Sequence, residues 1–202
     1  MQDHQKITLE SYDKHWREYV DGTTKVVSGI QKQWLDEFNF KVEPGASILE
    51  VGSGPGRDAD YFEAQGRHIY RTDAVESFIL FQESLGHKIH LYDVLAGPNT
   101  STFYGVLAAA VFIHFDLDQF HTAINNVRAT LRPCGYFALS LKIGDGYIYT
   151  EEKVGAPRFF QYWSVDAARK TLEDSGFTIV SELISEEHTW VHFIAQKDAQ
   201  VI

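Results

Sequence analysis

The chain is poor in cysteine, in positive charge and in long apolar runs. Its single cysteine, Cys134, excludes an intrachain disulfide. Lying inside the turn-like "RPCG", it reads as a turn or core residue rather than a nucleophile. A reducing cytoplasm is the simplest home for such a chain. No apolar run reaches the roughly 18 residues of a membrane span. The opening MQDHQKITLE has no apolar core, so no secretory signal is expected. Lys and Arg number 18 against 28 Asp and Glu, a formal net charge of −10. That field repels polyanions, which disfavours a broad nucleic-acid surface and favours small-molecule partners. No His-x-x-x-His pair and no Cys/His cluster occurs, so no metal is expected. Nothing in the sequence marks an oligomeric state.

What is present suits one soluble domain spanning 1–202: 44% apolar and 23% charged residues, with enough length for a sizeable core. Tyr12, Trp16, Tyr19 and Val20 recur at helical spacing until Gly22. Val26, Val27, Ile30, Trp34, Leu35 and Phe38 then mark a second amphipathic helix, so 1–42 reads as a helical cap. From residue 47 strands and helices alternate. Strands are expected at 47–51, 68–73, 88–92, 103–112 and 135–141. Helices are expected at 57–65, at 75–85 and, capped by Asp116, along the stripe Leu117, Phe120, Ile124, Val127 and Leu131. This is βαβ spacing and predicts a mainly parallel sheet covered on both faces. Ser164 caps a last helix. "FTIVSELI" and "TWVHFIAQ" follow with a gap too short for a crossover, so the final strand should run antiparallel. Residues 142–163, with "GDG", "GAP" and several aromatics, read as a long lid-like loop.

The stretch "ILEVGSGPGRDADYF" carries the strongest chemical signal. Glu50 precedes three glycines at alternate positions, Gly52, Gly54 and Gly56. Loop amides and a helix N-terminus at the carboxyl end of the first strand face a ligand in doubly wound sheets. A phosphate loop needs Gly-Lys-Ser/Thr, and no lysine is present. The dinucleotide pattern fails at its third glycine, where Arg57 stands. Asp73 closes the second strand, 19 residues after Gly54, and suits ribose hydroxyls. Asp93 closes the third and suits an adenine amino group.

Together "ILEVGSGPGRDADYF", "RTDAVESF", "LYDV", "GVLAAAVFIHF" and "LRPCGYFALSLK" resemble the class I S-adenosylmethionine-dependent methyltransferases. The likeness extends from "SYDKHWREYV" to "TWVHFIAQK", and is greatest to small bacterial methyltransferase-domain proteins pairing "GRDA" with "K-x-G-D-G". It implies a Rossmann-like α/β sheet of seven strands, order 3-2-1-4-5-7-6, with strand seven antiparallel. It also implies S-adenosyl-L-methionine as methyl donor and S-adenosyl-L-homocysteine as product. Glu50, Gly52, Ser53, Gly54, Pro55, Gly56 and Arg57 would hold the amino-acid end. Asp73 and Ala74 would meet the ribose, Asp93, Val94 and Leu95 the adenine, and Ala108 the methionine portion. Where the family often has Asp-Gly-Ile in strand four, this chain has Tyr104-Gly105-Val106.

Methyl transfer from a sulfonium is an in-line displacement, so alignment and water exclusion matter most. A base is needed only for a protonated acceptor. His114, after strand four, is the candidate base, and Tyr12 and Tyr19 are the rings placed to face a sulfonium. Trp16, Lys142, Arg158, Phe160 and Tyr162 are candidate acceptor-binding residues. A small-molecule methyltransferase is therefore expected. The alternatives are a cofactor-binding module without turnover, a transfer-RNA methyltransferase, which the charge disfavours, and a nicotinamide-type oxidoreductase, which Arg57 and the terminal hairpin disfavour.

Overall fold

The structure, a computed structural model, describes residues 4–199. The expected cap over 1–42 begins outside the described residues. It contains α1 (His4–Lys14), α2 (Trp16–Asp21) and α3 (Gly29–Lys41). Then come β1 (Ile48–Val51), α4 (Arg57–Glu63), β2 (Ile69–Asp73), α5 (Glu76–Ser84), β3 (Ile89–Leu91) and β4 (Phe103–Ala108). A 3₁₀ turn at Phe112–His114 leads into α6 (Leu117–Thr130), β5 (Leu131–Ile143), β6 (Tyr147–Thr150), β7 (Arg158–Trp163), α7 (Val165–Asp174), β8 (Phe177–Ile184) and β9 (Trp190–Lys197).

The helix starts follow from local chemistry. Asp116 accepts from the Gln119 amide while the Gln119 side chain accepts from the Asp116 amide, a reciprocal cap for α6. Ser164 caps α7 through the Ala167 amide. All four residues of β1 are buried, as befits a parallel strand covered on both faces.

Strands β3-β2-β1-β4-β5 pair parallel in that order. Beyond them β9 runs antiparallel to β5, and β8 antiparallel to β9. This is the expected order with its reversed strand. The sheet nevertheless has nine strands, not seven. The additional pair is the antiparallel hairpin β6–β7, which occupies the segment read from sequence as a loop. Its Gly and Pro content masked two short strands, and the buried aromatic run of β7 shows no alternation.

The placement of β7 decides the architecture of the site. Residues Lys142 and Ile143 of β5 pair with Tyr162 and Trp163 of β7. Lys142 already pairs with Trp190 of β9 on one edge. β7 must therefore use the other edge, which β4 leaves free after Ala108 pairs with Leu139. The hairpin thus crosses the carboxyl end of β4.

Adjacent residues of β4 alternate between two cores. Leu107 faces Trp34, Leu35 and Phe38 of α3 and Phe62 of α4. Val106 and Ala108 face Phe120, Ile124 and Val127 of α6. A third cluster joins Tyr12 to Val75 and Phe78, with Leu9, Trp16, Tyr19 and Val20 against it. It fastens α1 and α2 over α5. Tyr104 lies at the amino end of β4, where its hydroxyl accepts from Arg132 Nη1 at 3.0 Å. The departure in strand four thus falls at the end remote from the glycine loop. No helix among the described residues is long and apolar enough to cross a membrane.

Candidate active site

The loop after β1 turns immediately at Gly52, whose φ is +69°. A Cβ there would lie 2.5 Å from Val111 Cγ2, so the position excludes any side chain. The Ser53 amide then donates to Thr72 O at 2.8 Å, and the Gly54 amide to Asp73 Oδ2 at 2.8 Å. From beneath, Gln82 donates to Gly54 O at 2.9 Å, and Arg71 to Gln82 Oε1 at 2.9 Å. Arg71 is buried and pairs with Asp60 and Glu63. This support was missed in the sequence. Its one visible signal was an arginine within a strand of a parallel sheet. Asp60, Glu63 and His87 also cluster closely enough to suggest a metal, but Arg71 engages both carboxylates.

Three carboxylates stand at successive strand ends. Glu50 is 3% exposed and accepts from Ser53 Oγ. Burial pushes its carboxyl up to about 8, with the nearby Asp58 adding to the rise. Asp73 also accepts from the Val75 amide at 2.8 Å. Burial pushes it up to about 6, against the pull of its backbone donors. Asp93 accepts from the Leu95 amide at 2.9 Å and from Gln5 Nε2 at 2.7 Å. Gln5 belongs to α1 and places an amide –NH₂ on the oxygen assigned to adenine.

Two cavities meet over this edge. The larger, about 1230 Å³, is lined by Glu50, Ser53 and Pro55 on the loop side, by Lys142 at the end of β5 and by Phe160 and Tyr162 of the hairpin. The smaller, about 100 Å³, lies between Asp73, Ala74 and Asp93, with Val94 and Phe78 in its wall. Both are lined by Tyr12, Tyr19, Gly52, Gly54, Ala109 and Ala110. Ala108 is fully buried in the α6-side core, and its two successors line the cavities instead. Leu95 packs against that same core. Trp16 packs against Phe81 on α5 and lines neither cavity. Arg57 lines the larger cavity with both ends of its guanidinium on Asp58, at 2.8 and 3.1 Å.

His114, Tyr12 and Arg158 form a buried chain. His114 Nδ1 lies 2.7 Å from Phe159 O, and a carbonyl only accepts, so Nδ1 carries the proton. Nε2 therefore accepts from the Tyr12 hydroxyl at 2.9 Å. The Tyr12 oxygen accepts in turn from Arg158 Nη1 at 3.0 Å. Burial pushes the Tyr12 phenol far up and His114 down to about 4, the latter reinforced by the charges of Arg158 and Lys142. At pH 7 both side chains are neutral.

A pH dependence follows. Below its ordinary 6.5 the unfolded chain protonates His114, while the folded chain resists down to about 4. The unfolded state then binds more protons, so stability falls as pH drops through that window. His192, also down to about 4, acts in the same direction. Glu50 and Asp73, pushed up to about 8 and about 6, oppose this over the same window, so the unfolding midpoint should follow the balance of the two, the histidines supplying the acid-destabilising slope. His114→Asn should flatten part of that slope. A variant with an unchanged slope would remove His114 from the account.

The rings of Tyr12 and Tyr19 meet edge to face at 5.0 Å. Internal cations already approach both: Lys153 Nζ lies 3.8 Å from the Tyr19 centroid and Arg158 Cζ 5.3 Å from that of Tyr12. Lys153 was missed in the sequence, where it was one more polar loop residue.

The donor set fits S-adenosylmethionine. Loop amides and Glu50 suit an amino acid, two acids at adjacent strand ends suit an adenosine, and Gly54 has no Cβ to fill the space toward Tyr19, 3.8 Å beyond. Residues 49–139 match a family model described as a methyltransferase domain. Over 118 residues the chain is 32% identical to a hybrid PKS-NRPS synthetase of Dothistroma septosporum, covering 53% of this chain and 3% of that protein. By fold it is similar to the 1,6-didemethyltoxoflavin N1-methyltransferase of Burkholderia thailandensis, solved with S-adenosylhomocysteine. The TM-score is 0.67 and the identity 21%, over 83% of this chain and 77% of that one. It is also similar to the magnesium protoporphyrin IX methyltransferase of Synechocystis PCC 6803, solved with S-adenosylmethionine. Here the TM-score is 0.71 and the identity 18%, over 98% and 99% of the two chains. A methyltransferase-domain match thus falls on the glycine loop, and around it the chain shares the fold of these two methyltransferases.

Proposed function

We propose that the chain transfers a methyl group from S-adenosylmethionine to a small molecule held in the larger cavity. The observation that carries this reading is the pair of cavities meeting at Tyr12, Tyr19 and the glycine loop. One has the acids for a nucleoside, and the other has ample room for an acceptor. S-adenosylmethionine supplies, when bound, a methyl already activated by its sulfonium. Glu50 and the loop from Gly52 to Arg57 hold the amino-acid end. Asp73 and Ala74 meet the ribose. Asp93 receives the adenine amino group once Gln5 withdraws, and Val94 and Leu95 flank the ring. The smaller cavity, about 100 Å³, must widen for this as Gln5 leaves Asp93.

His114 orients rather than abstracts. Its free lone pair is spent on the Tyr12 hydroxyl, so it fixes the phenol at the junction of the cavities. Tyr12 and Tyr19 wall that junction and exclude water. The cap helices α1 to α3 and the segment 142–163 close the site from two sides. The Burkholderia enzyme named above was solved with 1,6-didemethyltoxoflavin bound, in keeping with this reading, and a cytoplasmic setting suits the single free cysteine.

Calorimetry with S-adenosylhomocysteine and with NAD tests the assignment. Binding of the former alone is expected, and a preference for NAD would sink it. Asp73→Ala should cost S-adenosylhomocysteine about 10- to 100-fold in affinity, the worth of hydrogen bonds to a charged group. It also releases the Gly54 amide, so part of the loss is loop order. Unchanged affinity would refute the ribose role.

A further inference from the structure

The larger cavity holds more positive charge than its surroundings balance. Arg158 is 4% exposed, yet pairs with no carboxylate among the described residues. Its Nη1 serves Tyr12, its Nη2 serves the Glu152 carbonyl, and its buried Nε has no partner. A buried guanidinium left in this state is costly unless an anion completes it. Lys142 lies over the rings of Phe160, Tyr162 and Trp190 at 5.1, 5.8 and 5.3 Å, and makes no ion pair among the described residues. Lys153 donates to Thr23 Oγ1 at 2.8 Å and has no carboxylate partner among the described residues. Phe160 connects two of these cations, with Arg158 and Lys142 each 5.1 Å from its centroid. Tyr12 and Tyr19 connect Arg158 to Lys153.

The acids lining the cavity do not neutralise them. Asp58 is spent on Arg57 and Gln31. Glu50 is hydrogen-bonded to Ser53 and holds its proton to about 8. Glu152, Glu186 and Glu187 are exposed at the rim. The ammonium of Lys153 is itself pushed down to about 8, by burial first and then by Arg158 and Arg57. A sulfonium donor would add still more positive charge at this point. In a chain of net charge −10, unpaired cations gathered in one cavity are a local reversal of the global field.

We propose that this cavity binds a carboxylate on an aromatic or conjugated acceptor, with Arg158 as its fork and Lys153 and Lys142 beside it. A guanidinium meets a carboxylate through paired N–H groups. Phe160, Tyr162 and Trp190 offer faces to a planar skeleton. Calling the ligand an acceptor rests on the methyltransferase reading; the anion site itself does not.

The test is calorimetric titration with benzoate, benzamide and inorganic phosphate, each with and without saturating S-adenosylhomocysteine. Benzoate should bind in the millimolar range and benzamide about tenfold or more weakly, since only the former completes the fork. Lys153→Gln should weaken benzoate several-fold. Arg158→Gln should abolish its binding while leaving benzamide unchanged. Equal binding of benzoate and benzamide, or no benzoate binding, would overturn the proposal. Phosphate binding more tightly than benzoate would overturn the carboxylate assignment. A further control compares S-adenosylhomocysteine with 5′-methylthioadenosine, which lacks the amino-acid tail. If Arg158→Gln weakens only the former, Arg158 clamps the donor's carboxylate and the proposal falls. Failure of S-adenosylhomocysteine to bind sinks the methyltransferase reading alone, because benzoate titrated without it still reports on the cavity.

Discussion

Glu50→Gln will stabilise the unliganded protein at alkaline pH and cost S-adenosylhomocysteine at least about tenfold in affinity. The two effects have one origin. In the folded chain Glu50 keeps its proton up to about 8, against an ordinary 4.5. Between those values the unfolded chain has lost a proton that the folded chain retains. Stability therefore declines as pH rises through that window, and the penalty is complete above about 8. Glutamine has no proton to lose. The gain in unfolding midpoint from Glu50→Gln should be nil below pH 4.5 and largest above 8. A gain independent of pH would show that Glu50 is not held protonated.

Binding reverses the balance. An ammonium placed beside Glu50 favours its charged form, so the wild-type protein should release up to about one proton on binding near pH 7. Calorimetry in buffers of different ionisation enthalpy reads this directly. Glu50→Gln should remove the buffer dependence together with the affinity. A residue tolerated at a cost in the free protein and repaid by ligand is what a binding carboxylate looks like in energetic terms.

Gly52→Ala and Gly54→Ala will separate stability from binding within one loop. At Gly52 the new methyl meets Val111 Cγ2 at 2.5 Å on a backbone at φ +69°. Left-handed strain of about 1–2 kcal/mol and overpacking of about 1–3 kcal/mol add. The unfolding midpoint should fall by roughly 5–15 °C in a domain of this size. At Gly54 the nearest atom is Tyr19 Cε1, 3.8 Å away, so only the backbone term applies. That methyl instead projects between the loop and Tyr19, into the space both cavities share. Gly54→Ala should lower the midpoint by less than half as much and weaken S-adenosylhomocysteine more. Equal losses of midpoint in the two variants would refute the assignment of Val111 as the obstacle.

The alternation of strands and helices and the reversed last strand were legible because they rest on local signals, buried runs, caps and a short final connection, whereas the strand order followed only from the family resemblance. The glycine loop, Glu50, Asp73 and Asp93 were legible because strand ends can be counted along the chain. Side-chain forks that join distant segments were not. Arg71 reaches Gln82 and through it the Gly54 carbonyl, and Gln5 reaches Asp93 across 88 positions. No periodicity encodes such contacts. The tautomer of His114 depends on the Phe159 carbonyl, 45 positions away, and so on the strand that sequence reading took for loop. Hairpin β6–β7 escaped for a related reason. Its strands are short and aromatic, and only pairing with each other and with the end of β5 makes them strands.

The way β7 joins the sheet has a consequence for how such a chain diversifies. It takes an edge that β4 has vacated, through two residue pairs, Lys142 with Tyr162 and Ile143 with Trp163. The ladder from β3 to β5, which carries the glycine loop and the acids Glu50, Asp73 and Asp93, is complete without it. The hairpin can therefore vary in length and side chains as a replaceable panel, retuning what enters beside the methyl while the nucleoside end is inherited unchanged.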